Sequence, residues 1–299
     1  MAIIKPFKAI RPPRDKAHLV ASRSYISYTE QHLHDKLVGN PFTFIHVINP
    51  EYYLGMDTRV TGEQRFPLVK KVFEQFQANG ILVKDDEPGF YLYRQSQSEF
   101  SFTGIIGGTS VQEYNEGKIK IHEKTITKRE QLFKTYLETC DFNAEPVLLT
   151  HSKHEDIQLI FNKYLNQRPE YEFCTTDEIK HELWLINDPV DIQLLQKAYK
   201  TIPNLYIADG HHRSASSALL GKDLRTAKGN PDEELASDYY MACLIPEDEL
   251  KIFPFHRGIK ALSMEPELLI EKLKEVGVLE KLQHFREPAT RFEIGVQVK

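Results

Sequence analysis

The chain has 299 residues, of which 41% are hydrophobic and 27% charged, with a formal net charge of −5. That length suits two domains with a core that needs no covalent staples. The acidic balance excludes bulk electrostatic attraction as a route to nonspecific nucleic-acid binding. Cys140, Cys174 and Cys243 form no C-x-x-C pair, so neither a zinc ribbon nor a redox pair is legible. The start M-A-I-I-K-P-F-K lacks a signal-peptide core and no apolar run reaches membrane-spanning length. Reduced thiols, a cytoplasmic location and no membrane partner are the expectation.

Residues 1–16, rich in Pro, Lys and Arg, read as an extended segment over a surface. The run 41–50, P-F-T-F-I-H-V-I-N-P, reads as a buried strand closed by Pro50. Pro67 opens a helix with Leu68, Val69, Val72, Phe73 and Phe76 at helical spacing, and Gly80 stands where a cap belongs. Strands at 81–84 and 90–94 read as a hairpin around Glu87-Pro88-Gly89. A helix from Thr125 carries the stripe Leu132, Phe133, Tyr136 and Leu137. The strand 146–150, a helix over 154–166, a strand over 181–188 and a helix from Pro189 follow. Strand 205–208 then enters a helix ending at Gly221, with a polar loop over 222–238. Strands at 239–245 and 251–255, a helix at 265–276 and strands near 279–285 and 291–298 complete the chain. This alternation predicts a mixed α/β (α+β) fold with a mixed sheet.

The segment Leu205–Arg213, L-Y-I-A-D-G-H-H-R, concentrates the chemistry. A strand runs into Gly210, which permits a sharp turn, and a helix starts directly after it. The free N–H groups and dipole of a helix start favour an anion there. His211 and His212 add donors, and Arg213 adds a planar cation suited to phosphate oxygens. Asp209 would cap the helix, orient a histidine or hold Mg²⁺ beside phosphates. The plainer alternative makes Asp209 an ordinary cap and the histidines surface residues. Adjacent histidines diverge on a helix, which disfavours one shared metal ion.

The turn D-G-H-H-R resembles the signature of the ParB/sulfiredoxin-like superfamily, and most of all its free L-serine kinases. The whole chain resembles an uncharacterised bacterial family, domain of unknown function family 1015, in its P-F-K-A-I-R-P segment, its H-E-x-T region, its H-x-L-W strand and its G-H-H-R turn. The resemblance implies an N-terminal α/β domain over 1–104. It implies a ParB/sulfiredoxin-like nucleotide-binding domain over 105–299, with an insertion near 151–190. It also implies a longer chain, so that Lys299 would mark a truncation. The kinases carry a catalytic Glu in a His-Glu context before a helix. By that resemblance Glu123, in I-K-I-H-E-K-T, is the candidate base for the serine hydroxyl, with Asp209 beside it. Glu123 as a solvated charge stays an equal alternative.

Softer candidates are Arg129, His181, Trp184, His256, Arg257 and the G-G-T-S at 107–110; Trp184 reads as core at least as readily as a ligand wall, and a tight turn is the default reading of the glycine pair. The leading expectation is a kinase using ATP or ADP with Mg²⁺ to phosphorylate free serine. A ParB-like nucleotide-binding regulator and a metal-dependent hydrolase built on His122, His211 and His212 are the alternatives. No basic recognition helix is legible, so a nucleic-acid partner is not expected.

Overall fold

A computed structural model describes residues 2–23, 28–56, 58–98, 100–252, 258, 264–284 and 286–297. The strands in chain order are β1 (Ile4–Lys5), β2 (Ile10–Arg11), β3 (Val83–Lys84), β4 (Phe90–Gln97), β5 (Phe100–Ser110), β6 (Ile119–Lys120), β7 (Val147–His151), β8 (Tyr171–Cys174), β9 (Lys180–Ile186), β10 (Leu205–Asp209) and β11 (Tyr239–Pro246). The helices are α1 (Ala17–Val20), α2 (Glu30–Gly39), α3 (Ile45–Ile48), α4 (Pro50–Tyr53), α5 (Phe66–Ala78), α6 (Val111–Asn115), α7 (Thr127–Cys140), α8 (Glu155–Leu165), α9 (Pro189–Tyr199), α10 (His211–Ala227) and α11 (Pro266–Val276). Two compact units divide the chain, Met1–Leu250 and Lys251–Lys299.

Within the first unit nine strands form one mixed sheet in the order β6-β10-β7-β11-β5-β4-β9-β8, with β1 paired to β5. The β6–β10 and β7–β11 pairs are parallel and the other neighbours antiparallel. The registers align Trp184, Leu92, Ile105, Leu244, Leu149 and Ile207 across successive strands. Side chains alternate between faces at period two, so these six share one face. They form its core with Ile157 and Phe161 of α8 and Leu195 and Tyr199 of α9. A second cluster joins Val47, Val69, Val72, Phe73, Phe76 and Cys140, contributed by α3, α5 and α7.

Several sequence expectations hold. The helix of Pro67 runs over Phe66–Ala78, and Gly80 follows with φ 63°. Pro189 opens α9 as expected, and the structure adds its cap, Asp188, which accepts from the N–H groups of Val190 and Asp191. In β9, Glu182, Trp184 and Ile186 are buried, so Trp184 is core.

Others are corrected. The run 41–50 is not a strand: it forms the single-turn α3, and Pro50 begins α4. A short apolar run carries too little periodicity to separate the two, and packing of Val47 against α5 decides it. The strands β3 and β4 make no hairpin, because β3 pairs with β2 and β4 with β5 and β9. Gly107 and Gly108 make no turn. They lie inside β5, where a Cβ on Gly107 would meet the Phe90 ring at 2.9 Å. Leu132 and Phe133 of the α7 stripe are exposed. Gly221 does not end α10, which continues to Ala227; its bare Cα admits the Ser237 carbonyl, 2.5 Å from where a Cβ would stand. Position 104/105 falls inside β5, and residues 151–190 contribute β8 and β9 to the same sheet.

In the second unit, α11 matches the helix expected at 265–276. The described residues near 279–285 and 291–298 form no strand. Residues 253–257, and with them His256 and Arg257, lie outside the described residues. No described helix is long and apolar enough to cross a membrane.

Candidate functional site at the Gly210 turn

The site grows from the pairing of β10 with its two neighbours. Leu205 and Tyr206 run parallel to Ile119 and Lys120 of β6. Parallel strands end on the same side, so the residues after Lys120 and those after Ile207 emerge together. On the other flank β10 is antiparallel to β7, with a register irregularity between Ile207 and Asp209. That pairing sets Asp209 opposite Leu148, close to the start of β7. Three segments distant in sequence therefore meet at one end of β10.

Gly210 turns the chain there, with φ 98° and ψ 30°, a left-handed conformation that glycine adopts without strain. A Cβ on Gly210 would lie 2.9 Å from the Arg213 guanidinium. The first helical hydrogen bond of α10 runs from Ser214 N–H to the Gly210 carbonyl at 3.0 Å. The amides of His211, His212 and Arg213 thus precede the ladder and lack helical acceptors. Asp209 is not the cap: it ends β10, Gly210 takes the capping position, and no side chain caps α10.

The Asp209 carboxylate instead accepts from Arg213 Nη2 at 2.6 Å, and Glu145 closes on Arg213 Nη1 from the other side. Glu145 escaped the sequence analysis because a lone Glu before a strand carries no local signal; only the β10–β7 register places it. The Arg213 Nε–H is buried without a partner, as is His212 Nδ1. A cavity of about 380 Å³ opens beside Arg213 and Ser217, walled by Phe133, Tyr136 and Glu145.

His211 points the other way and is buried. The His122 backbone N–H donates to His211 Nε2 at 3.4 Å. An accepting Nε2 leaves the proton of the neutral ring on Nδ1, which faces Glu123 Oε2 at 3.7 Å. The His122 ring meets His211 edge to face, centroids 4.4 Å apart. Burial, and secondly His122, holds the His211 pKa below its ordinary value, against the opposing pull of Glu123. The ring is therefore neutral at pH 7, and the Glu123 carboxylate remains exposed beside it.

The turn thus has two sides. Glu123 and His211 face the β6 edge, while Arg213, Asp209 and Glu145 face β7. Among the described residues, no group of three or more His, Cys, Asp or Glu side chains converges with metal-binding geometry. Asp209 offers one exposed carboxylate, which suits a cation that draws its remaining oxygens from phosphates and water.

The profile of a family described as protein of unknown function, DUF1015, matches residues 4–299. The chain belongs to the DUF1015 family. Comparison with curated proteins and with solved structures gives no match. In this DUF1015 chain the turn itself is the feature that points to a function.

Proposed function

We propose that this DUF1015 protein is a nucleotide-dependent kinase that phosphorylates the hydroxyl of free L-serine. The observation that supports this reading most is the parallel β6–β10 pairing, which sets a carboxylate, Glu123, against a neutral histidine at the start of α10. In this reading the phosphates of ATP or ADP lie against the amides of 211–213, and a phosphate oxygen replaces Glu145 at the Arg213 guanidinium. Arg213 suits that exchange because its planar fork binds carboxylate and phosphate alike. Asp209 would hold Mg²⁺, which supplies charge neutralisation at the phosphates when bound.

Glu123 accepts the proton of the serine hydroxyl as its oxygen forms the new bond to phosphorus. The bond from phosphorus to the nucleotide's bridging oxygen breaks, giving O-phosphoserine and the shortened nucleotide. His211 Nδ1–H orients the carboxylate through that step. General-base assistance of this kind contributes about 10²- to 10⁴-fold. Mass spectrometry of incubations with serine, Mg²⁺ and either ATP or ADP tests the reading, with O-phosphoserine as the expected product. Bound nucleotide with no phosphorylated product from serine, other amino acids or small alcohols would overturn it.

A further inference from the structure

Another cavity is centred elsewhere. A space of about 890 Å³ sits between the sheet face opposite α8 and α9 and a roof that includes Val20, Phe44 and Phe73. That volume is at the upper end of the range for small-molecule sites, and far beyond what free serine needs. Its floor includes Tyr93, His181 and Phe173, on the adjacent strands β4, β9 and β8. β9 is four strand spacings from β7, roughly 19 Å, while Ser22, Arg23, Phe44, Asn143 and Ala144 line both this space and the cavity beside Arg213.

The floor is an aromatic stack. His181 lies between Phe173 and Tyr93, with centroid distances of 5.2 and 6.1 Å and interplanar angles of 18° and 27°. Tyr93 Oη lies 2.6 Å from His181 Nδ1. A tyrosine hydroxyl donating to Nδ1 leaves the ring proton on Nε2. Burial holds His181 below its ordinary pKa, so the ring stays neutral and presents one N–H donor. Gln95, directly opposite His181 in the β4–β9 register, adds an amide that both donates and accepts.

The charge lining this space is balanced: Lys8, Arg11 and Arg23 against Asp141, Asp177 and Glu182. The two arginines are already engaged, Arg11 by Asp85 and Glu170, Arg23 by Asp177. Nothing in that balance selects an anion. An aromatic floor, an apolar roof and a neutral donor–acceptor pair select an aromatic, uncharged ligand.

We infer that this cavity is a second small-molecule site, centred on β4, β9 and β8 rather than on the Gly210 turn, for a neutral planar heteroaromatic ligand whose ring packs against Tyr93, His181 and Phe173. A ring nitrogen or carbonyl of the ligand accepts from His181 Nε2–H. This goes beyond the kinase reading and does not depend on it.

The test uses the full chain and quinolin-2-one, a neutral planar lactam, followed by calorimetry and saturation-transfer NMR. Quinoline-2-carboxylate serves as the anionic comparison and the fully saturated bicyclic lactam as the non-planar one. Quinolin-2-one should bind saturably and more tightly than either comparison. His181→Phe keeps a ring but removes the donor, and Phe173→Leu keeps apolar bulk but removes the ring. Each should weaken binding about tenfold, while Arg213→Ala leaves it unchanged. Circular dichroism identifies variants that keep the fold. If neither does, the ranking of the three probes on the unaltered chain decides. The inference is overturned if quinolin-2-one does not saturate, if either comparison binds equally well, if both folded variants bind as the parent does, or if Arg213→Ala abolishes binding.

Discussion

Glu123 Oε2 stands 3.7 Å from His211 Nδ1, joined across the first and second strands of the sheet by a parallel pairing. Glu123→Gln keeps the shape and removes the charge that would take a proton. Turnover should fall by at least about 100-fold with nucleotide affinity unchanged. Equal turnover in the variant would remove Glu123 from the reaction.

Arg213 is the cation between Asp209 and Glu145. Arg213→Ala should abolish nucleotide binding measured by calorimetry, and Arg213→Lys should restore little of it, because a lysine cannot make two parallel contacts. Glu145→Gln should instead strengthen nucleotide binding, since it removes the carboxylate that competes with phosphate. Weaker binding in Glu145→Gln would mean that Glu145 positions Arg213 rather than competing for it.

Gly210→Ala meets two penalties at once. The residue holds φ 98°, and the added carbon would stand 2.9 Å from the Arg213 guanidinium. The expected loss is about 1–3 kcal/mol in urea unfolding, accompanied by lost nucleotide binding as Arg213 is displaced. A stability change below a few tenths of that range would show that the turn relaxes freely.

Burial lowers the pKa of both His151 and His211 in the folded chain. The unfolded chain takes up protons as pH falls through the ordinary histidine value near 6.5, while the folded chain resists them. Stability from these groups is therefore complete above about 6.5 and declines as pH falls toward the lowered values. His151 Nδ1–H donates to the Ser152 carbonyl at 2.9 Å, so its Nε2 accepts from the Tyr199 hydroxyl at 3.1 Å in a fully buried position. His151→Gln should flatten the loss of stability measured between about pH 7.5 and 5.5. An unchanged pH slope would assign that loss to other groups.

Much of the turn was legible because its signals are local. Leu205 and Ile207, Gly210 and the helix after it announce strand, turn and helix within ten residues. The partners of the turn were not legible by physics, because they depend on register. Glu145 reaches Arg213 only through the β10–β7 pairing, and Glu123 was singled out by resemblance before β6 placed it beside His211. Gly221 illustrates the opposite failure. Glycine late in a helix reads as a stop, yet here it serves close approach of the Ser237 carbonyl, a contact with no trace in the neighbouring sequence. The cavity was hidden for a similar reason. His181 and Tyr93 each look ordinary, and only the β4–β9–β8 order stacks them.

The strand that delivers Glu123 is a two-residue rim of the sheet, with β10 as its one neighbour among the described residues. Such margins open locally at a small fraction of the cost of global unfolding. Amide exchange at Ile119 and Lys120 should thus outpace that at Leu149 and Leu244 in the middle of the sheet. The half of the turn proposed to handle the proton should then detach while the half proposed to bind phosphate, fastened to β7 and α10, keeps its shape. Under the proposed kinase reading, occupancy of the nucleotide and competence for turnover would be separable states, with slower rim exchange in the presence of both substrates as the signature of their coupling.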